Sequence, residues 1–239
     1  KKVNYDGKLS FPEIVFLSSN KQEQELFNKV LSSYQRKGIN DSNKRRNFEE
    51  KLSELCKKNL TVNLKYIDIL KSVLYILDEE DIPILILGES GVGKSYLAES
   101  IHKLSNRGEK SYEQINCGIL SGEKMYQQIW GWEKGSFTGA TNGYEGLIKR
   151  ADQGTFFIDE IDRASSEVRN AILTFVENKT YEKLGATKVE KAKVRLIFGS
   201  NKNLKKYITK GQFEPDLYAR IAGRIVNIPP LRERWMILI

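Results

Sequence analysis

Apolar positions recur along the 239-residue chain in two alternating rhythms. Short unbroken runs of strand length give way to longer stretches with an apolar residue at every third or fourth place. Ile82-Pro-Ile-Leu-Ile-Leu87 is the first clear run and reads as a buried strand. Leu97, Ile101 and Leu104 follow at helical spacing. Tyr112–Cys117 predicts a second strand, Thr155–Ile158 a third and Val194–Phe198 a fourth. Arg224–Ile228 predicts a fifth, stopped by Pro229 and Pro230. Between them, Val168, Ile172, Phe175 and Val176 mark one helix, and Pro215 through Ala222 another. Tyr181 to Glu190 reads as a turn or small hairpin around Gly185. Residues 131–146 hold five glycines and read as an excursion from the core. Strands alternating with helices predict an α/β fold, a parallel five-stranded sheet covered by helices on both faces.

Upstream, Tyr66, Ile67, Leu70, Val73, Leu74 and Leu77 form an amphipathic helix leading into the first strand. Residues 1–59 are lysine-rich and carry no motif. Ile14–Leu17 could be a strand, with helical faces at Leu26, Phe27, Val30, Leu31 and Tyr34 and at Phe48, Leu52 and Leu55. This part reads as an N-terminal extension or the end of a preceding domain, and residues 60–239 as the α/β domain.

Between the first strand and its helix lies Gly88-Glu89-Ser90-Gly91-Val92-Gly93-Lys94-Ser95, which fits G-x-x-x-x-G-K-[ST] at every fixed position. The glycines let main-chain N–H groups curl around a phosphate. The helix N-terminus adds partial positive charge, and Lys94 a full one. Ser95 can offer its hydroxyl to magnesium. The plain alternative is a glycine turn capping an ordinary helix.

Composition narrows the classes. The net charge of +8 could suggest nucleic acid, but residues 1–60 carry 13 Lys/Arg against 8 Asp/Glu, interleaved along helical faces, so a solvated surface is the simpler reading. No run of 18 apolar residues occurs, so no membrane span is expected. Cys56 and Cys117 imply neither a metal site nor a disulfide framework, which suits a cytoplasmic protein. His102 is the only histidine, which argues against histidine catalysis. A lysine at position 1 suggests a piece of a longer protein.

A phosphate loop alone only binds nucleotide. Hydrolysis also needs a carboxylate for the metal and a group to orient water. Phe156-Phe-Ile-Asp159-Glu160 supplies both, at the sheet edge where such sheets bind ligands. Asp159 would support magnesium, directly or through water; Glu160 would orient or deprotonate the attacking water. The plain alternative is two exposed acids ending a strand.

Taken together, residues 60–234 resemble the central AAA+ ATPase domain of bacterial enhancer-binding proteins, the activators of sigma-54 RNA polymerase. The most diagnostic piece is Gly135-Ser136-Phe137-Thr138-Gly139-Ala140, similar to the family's GAFTGA loop with Ser136 in place of the usual Ala. Ile129-Trp-Gly-Trp-Glu-Lys134 is similar to Leu-Phe-Gly-His-Glu-Lys of that family. Gly154–Ile161 resembles its Walker B segment, Ser200-Asn201 its sensor I, and Phe213–Arg220 followed by Pro229–Arg234 its arginine-finger region.

The resemblance implies ATP and Mg2+ as cofactors, and Asn116 as partner of Glu160 in a nucleotide-dependent switch. It implies Asn201 as reporter of the γ-phosphate and Arg220 as a finger into a neighbour's ATP. It implies a homo-oligomeric ring, with a hexamer expected, in which hydrolysis drives Phe137 and Thr138 at the loop tip against sigma-54 RNA polymerase. Each residue has a plainer reading: Asn116 a strand-end cap, Asn201 a turn residue, Arg220 a surface salt-bridge partner, Phe137 an inward-packed hairpin residue. Trp130 and Trp132 read as the packed base of the loop. A remodeller of another protein, reusing the loop, is the main rival function, and a non-hydrolysing sensor the second. Two departures stand out. Glu214 replaces the family's second arginine, and Ser95 replaces an acid common after the loop lysine, as in the subgroup regulating RNA-repair genes. The chain stops at Ile239, where the family's helical lid begins, so the lid is expected to be absent and DNA contact to need a domain outside this chain.

Overall fold

The computed structural model describes residues 69–233 apart from 71, 75, 78, 80 and 121. The expectations for Ile14–Leu17, for the helical faces of residues 26–34 and 48–55, and for Tyr66 and Ile67 fall outside these residues. Of the amphipathic segment before the first strand, residues 69–70 and 72–74 are helical. Residues 75–230 form one compact unit.

That unit is built on a five-stranded parallel sheet. Its strands are β1 (Ile84–Leu87), β2 (Tyr112–Asn116), β5 (Thr155–Asp159), β8 (Arg195–Ser200) and β9 (Arg224–Asn227). They lie in the order β2-β5-β8-β1-β9, and all four pairings are parallel. β1 begins two residues later than the apolar run suggests, because Pro83 has no N–H to give the ladder. The helices are α1 (Lys94–Leu104), α2 (Gly122–Trp130), α3 (Leu147–Arg150), α4 (Ser166–Asn178), α5 (Leu204–Thr209) and α6 (Pro215–Ile221).

β8 is buried at all six positions, which is why the central strands read as continuous apolar runs rather than alternating ones. Arg195 breaks that run yet is fully buried. Its Nη1 and Nη2 donate to the carbonyls of Leu77 and Ile76 at 2.7 and 2.6 Å, so the cation does not go unsatisfied. Trp130, Phe156, Phe175 and Phe198 dominate the core between sheet and helices.

Two small antiparallel ribbons leave this core. β3 (Gly131–Trp132) pairs with β4 (Tyr144–Glu145), and β6 (Thr180–Glu182) with β7 (Val189–Lys191). The first is the predicted excursion and the second the predicted hairpin, with Gly185 at φ 75°.

Candidate functional site

The strand ends gather the candidate residues along one edge of the sheet. Asn116 lies opposite Asp159 in the β2–β5 register, and Leu87 opposite Ser200 in the β1–β8 register. Gly88 N–H donates to the Ser200 carbonyl at 3.2 Å, tying the start of the glycine loop to the end of β8. The loop then turns through Gly91 and Gly93, whose φ of 78° and 95° is the left-handed region where side chains are strained. Open space lies where their side chains would be. Glu89, Ser90 and Gly91 are exposed along this curve, while Val92 is buried beneath it. Lys94 is 7% exposed and bridges back to the carbonyls of Gly88 and Glu89, both at 3.1 Å. Its ammonium therefore sits at the mouth of the main-chain cradle. Ser95 is exposed on the first turn of α1.

The acids meet this cradle from β5. Burial pushes the Asp159 carboxyl up from its ordinary range; the main-chain N–H of Glu160, donating to Oδ1 at 2.9 Å, and the Lys94 charge pull the other way. Glu160 has a left-handed backbone, φ 52° and ψ 44°, which is costly for a side-chain-bearing residue by about 1–3 kcal/mol. The next residues form the 3-10 turn Ile161–Arg163, and Arg163 Nε lies 3.2 Å from Glu160 Oε2. Asn116 Oδ1 accepts from Gly118 N–H at 2.7 Å, so its amide caps the turn that ends β2. No hydrogen bond joins Asn116 to Glu160 in this arrangement among the described residues. Both nevertheless crowd Gly118, where an added Cβ would overlap Glu160 Oε2 and come within 3.0 Å of Asn116 Oδ1.

Asn201 follows the last residue of β8. Its Oδ1 is buried without a hydrogen-bond partner, an orphan polar atom beside the cradle. Ser200 Oγ donates to Asp162 Oδ1 at 2.5 Å, which links β8 to the turn after Glu160. The local sequence gave no sign of this bond. Arg220 does not reach this edge. It projects from α6 and pairs with Glu177 of α4 at 2.9 Å, with side chains 59% and 37% exposed. Glu214 is bound too, its two oxygens lying 2.7 and 3.0 Å from Arg169 Nε and Nη2.

No group of three or more His, Cys, Asp or Glu able to hold a metal occurs among the described residues. Asp159 and Ser95 are the oxygen-bearing side chains of this edge that would hold a magnesium ion carried in on phosphate. Cys117, next to Asn116, is an inert neighbour: burial and then the nearby acids push its thiol up to about 12.

The glycine-flanked loop spans β3 to β4. Gly135 N–H donates to the Ala140 carbonyl at 2.8 Å, and Ala140 N–H to the Phe137 carbonyl at 3.0 Å. Thr138 is exposed at the reversal, as expected. Phe137 differs from the expectation of an exposed tip. It is half-buried, edge-on to Trp132 at 5.7 Å, and Trp132 stacks on Tyr144 at 4.5 Å. Aromatic packing removes apolar surface that water would otherwise cover. Trp130 lies deeper, 2% exposed against Phe175 and Tyr181, so the two tryptophans do form the packed base. The loop also rests on the second ribbon. Glu133 N–H donates to the Leu184 carbonyl and Leu184 N–H to the Gly131 carbonyl, both at 3.0 Å.

A covered parallel sheet with a lysine-bearing glycine loop and two acids at the same edge defines a P-loop nucleotide-binding protein. Residues 61–227 match the sigma-54 interaction domain, and the chain belongs to that family. It is 42% identical over 154 residues to the alginate biosynthesis transcriptional regulatory protein AlgB of Pseudomonas aeruginosa, covering 64% of this chain and 34% of that protein. It is 39% identical over 168 residues to a Nif-specific regulatory protein of Rhizobium leguminosarum bv. trifolii, covering 69% and 48%. The nitrogen fixation protein AnfA of Azotobacter vinelandii is 36% identical over 193 residues, covering 80% and 36%. The chain thus spans between a third and a half of the length of these relatives. Among solved structures, NtrX from Brucella abortus in complex with ATP superposes with a TM-score of 0.66 at 27% identity, covering 72% of this chain and 37% of that one. NtrX in complex with ADP superposes at 0.62 and 27%, covering 70% and 36%. At the level of the family, the chain is a nucleotide-binding domain of sigma-54-dependent transcriptional regulators. Among the described residues no helix is long and apolar enough to cross a membrane.

Proposed function

We propose that the chain binds ATP with magnesium, hydrolyses it, and uses the turnover to move the loop Gly135–Ala140 against sigma-54 RNA polymerase. One observation carries this reading. Four separate segments bring Lys94, Asn116, Asp159–Glu160 and Asn201 to one sheet edge, and the Asn201 oxygen there is buried and unpaired.

The main-chain N–H groups of Gly88–Gly93 and the Lys94 ammonium hold the phosphates. Bound magnesium would draw charge from the phosphate oxygens as it builds up. Ser95 and Asp159 are the groups that would hold it. Glu160 orients and deprotonates water, held by the left-handed turn and by Arg163 until nucleotide arrives. Asn116 exchanges its Gly118 bond for Glu160 as the switch. Asn201 reads the terminal phosphate. Arg220 leaves Glu177 to act on a neighbour's nucleotide in a homo-oligomeric ring. Residues 60–239 are the nucleotide-driven unit, and residues 1–59 an extension or the end of a preceding domain.

Three substitutions in the full-length protein test this. Lys94→Ala abolishes ATP binding, and Glu160→Gln keeps binding and loses turnover. Thr138→Ala keeps phosphate release within a few-fold of wild type and loses co-migration with sigma-54 in the presence of a transition-state analogue of ATP. Equal ATP affinity in Lys94→Ala would remove the nucleotide assignment. Normal transcription activation by Thr138→Ala would reduce the loop to a structural hairpin.

A further inference from the structure

Building on the reading of Arg220 as a finger, we propose that Arg169 and Glu214 are positioning residues that aim Arg220 at the neighbouring subunit's nucleotide. α6 carries Arg220 but has only seven residues, too few to hold its own orientation in water. Its direction must come from what it packs on, and that is α4. Leu217 and Ile221, 1% and 0% exposed, fix the buried face of α6. Apolar contact permits sliding and rotation about the axis, and polar clasps at the two ends of α6 restrict them.

The two clasps are unequal. At the N-terminal end, Glu214 is the cap residue of α6, and it takes the fork of Arg169 through Nε at 2.7 Å and Nη2 at 3.0 Å. The same guanidinium donates Nη1 to the Ala164 carbonyl at 2.6 Å and lies 5.5 Å from the Phe213 ring centroid. Arg169 is 14% exposed and Glu214 34%. A planar fork on a carboxylate sets direction as well as distance, which a single contact cannot do. At the C-terminal end, Arg220 meets Glu177 through one contact with both side chains open to water. Such a pair has little strength and exchanges partners readily. The first clasp therefore sets the helix, and the second leaves its arginine free to change partners.

Arg169 is not a finger itself, because Nε, Nη1 and Nη2 are all engaged within the chain. Its place matters because α4 begins at Ser166, shortly after Glu160 in the chain. Arg169 lies on the first turn of α4 and its partner caps α6, so α6 is referenced to the helix that follows the water-orienting acid of its own subunit.

The test uses the ring-forming full-length protein. Arg169→Ala and Glu214→Gln should leave the KM for ATP within about twofold of wild type. They should lower kcat by roughly tenfold or more, the scale of a misplaced group acting at a distance. Arg169→Lys, which keeps the charge and loses the fork, should fall between. The decisive readout is mixing with Lys94→Ala subunits, which carry an intact finger and no working site. Arg169→Ala subunits should regain turnover on mixing, as Arg220→Ala subunits do, because their own sites are sound and only their fingers are misaimed. If Arg220→Ala is complemented and neither Arg169→Ala nor Glu214→Gln is, the positioning role is overturned while the finger reading stands. If Arg220→Ala is not complemented either, the finger reading itself fails. Wild-type kcat in both Arg169→Ala and Glu214→Gln would also overturn the proposal. Glu214→Gln keeps nearly the full side chain, so it decides the matter where Arg169→Ala does not fold.

Discussion

Gly199→Ala is the sharpest small perturbation of the nucleotide edge. Gly199 is the penultimate residue of β8, opposite Ile86 of β1, and the pairing with β5 ends one residue before it at Phe198. An added methyl would overlap Asp159 Oδ1 and come within 3.1 Å of both Asp159 Cγ and Phe157 Cζ. The strand cannot yield without breaking its ladder, so the carboxylate must swing by about 1 Å to reach ordinary contact distance. That movement removes its 2.9 Å bond from the Glu160 N–H. A hydrogen bond to a charged group contributes about 1.5–3 kcal/mol. Replacing a strand glycine returns about 0.5–1 kcal/mol of backbone entropy. The net loss is then about 0.5–2.5 kcal/mol, which lowers the melting temperature by roughly 1–10 °C for a chain of this size. Turnover should suffer more, by about tenfold to a hundredfold, because a group misplaced by that distance loses its alignment. The assay pairs thermal melting with ATP titrations in magnesium and in EDTA. Affinity in EDTA should match wild type, while the gain from magnesium should shrink. A variant that melts as predicted yet hydrolyses ATP at the wild-type rate with the same magnesium dependence would show that Asp159 has no part in the site.

Two further outcomes follow from other packing. Gly185→Val places a Cβ 2.5 Å from Ser136 Cβ at a residue with φ 75°, so the hairpin should detach from the loop. Trypsin should then cut after the exposed Lys134 several-fold faster with ATP affinity unchanged, and unchanged cleavage would show that the ribbon does not restrain the loop. His102 is 3% exposed, with Nδ1 3.0 Å from Thr155 Oγ1, and burial lowers its pKa from the ordinary 6.5. The unfolded chain therefore binds more protons below pH 6.5, so stability falls as the pH falls from 6.5 toward the folded value. Denaturant melts at pH 7.5 and 5.5 should show a larger loss in wild type than in His102→Asn, and equal losses would place the acid sensitivity elsewhere.

Much of this molecule was legible because its signals are local. Apolar runs gave the central strands β1, β5 and β8, since strands covered on both faces need no alternation. The glycine–lysine spacing gave the cradle, since main-chain geometry and one charge are all that a phosphate demands. What escaped depends on residues distant in sequence. Arg195 reads as a charge inside an apolar strand, and the carbonyls of Ile76 and Leu77 that accept from its guanidinium lie 119 and 118 residues away. Glu214 reads as a lost arginine until Arg169 is seen to grip it from 45 residues away. Phe137 escaped for a different reason: its glycine flanks read as an exposed tip, and its packing on Trp132, only five residues earlier, depends on how the loop folds back over β3. The left-handed turn at Glu160 has no sequence mark either, because the residue is neither Gly nor Asn.

These distant contacts also say how the two ends of the unit are mechanically joined. From Glu160 one route runs through the 3-10 turn into α4, then into β6 and on to Leu184. From the Asn116–Gly118 turn beside it, a second route runs into α2 and ends at Trp130, immediately before β3. The routes meet twice. Trp130 stacks on Tyr181 at 5.9 Å and packs on Phe175 at 5.6 Å, and Leu184 exchanges main-chain hydrogen bonds with Gly131 and Glu133. Interiors packed at this density change between discrete arrangements rather than deforming smoothly. A displacement of Glu160 relative to Asn116 would therefore reach β3 along both routes, through α4 with its ribbon and through α2. Gly118 sits at the branch point, with the Glu160 carboxylate and the Asn116 amide both against the place where its side chain would be.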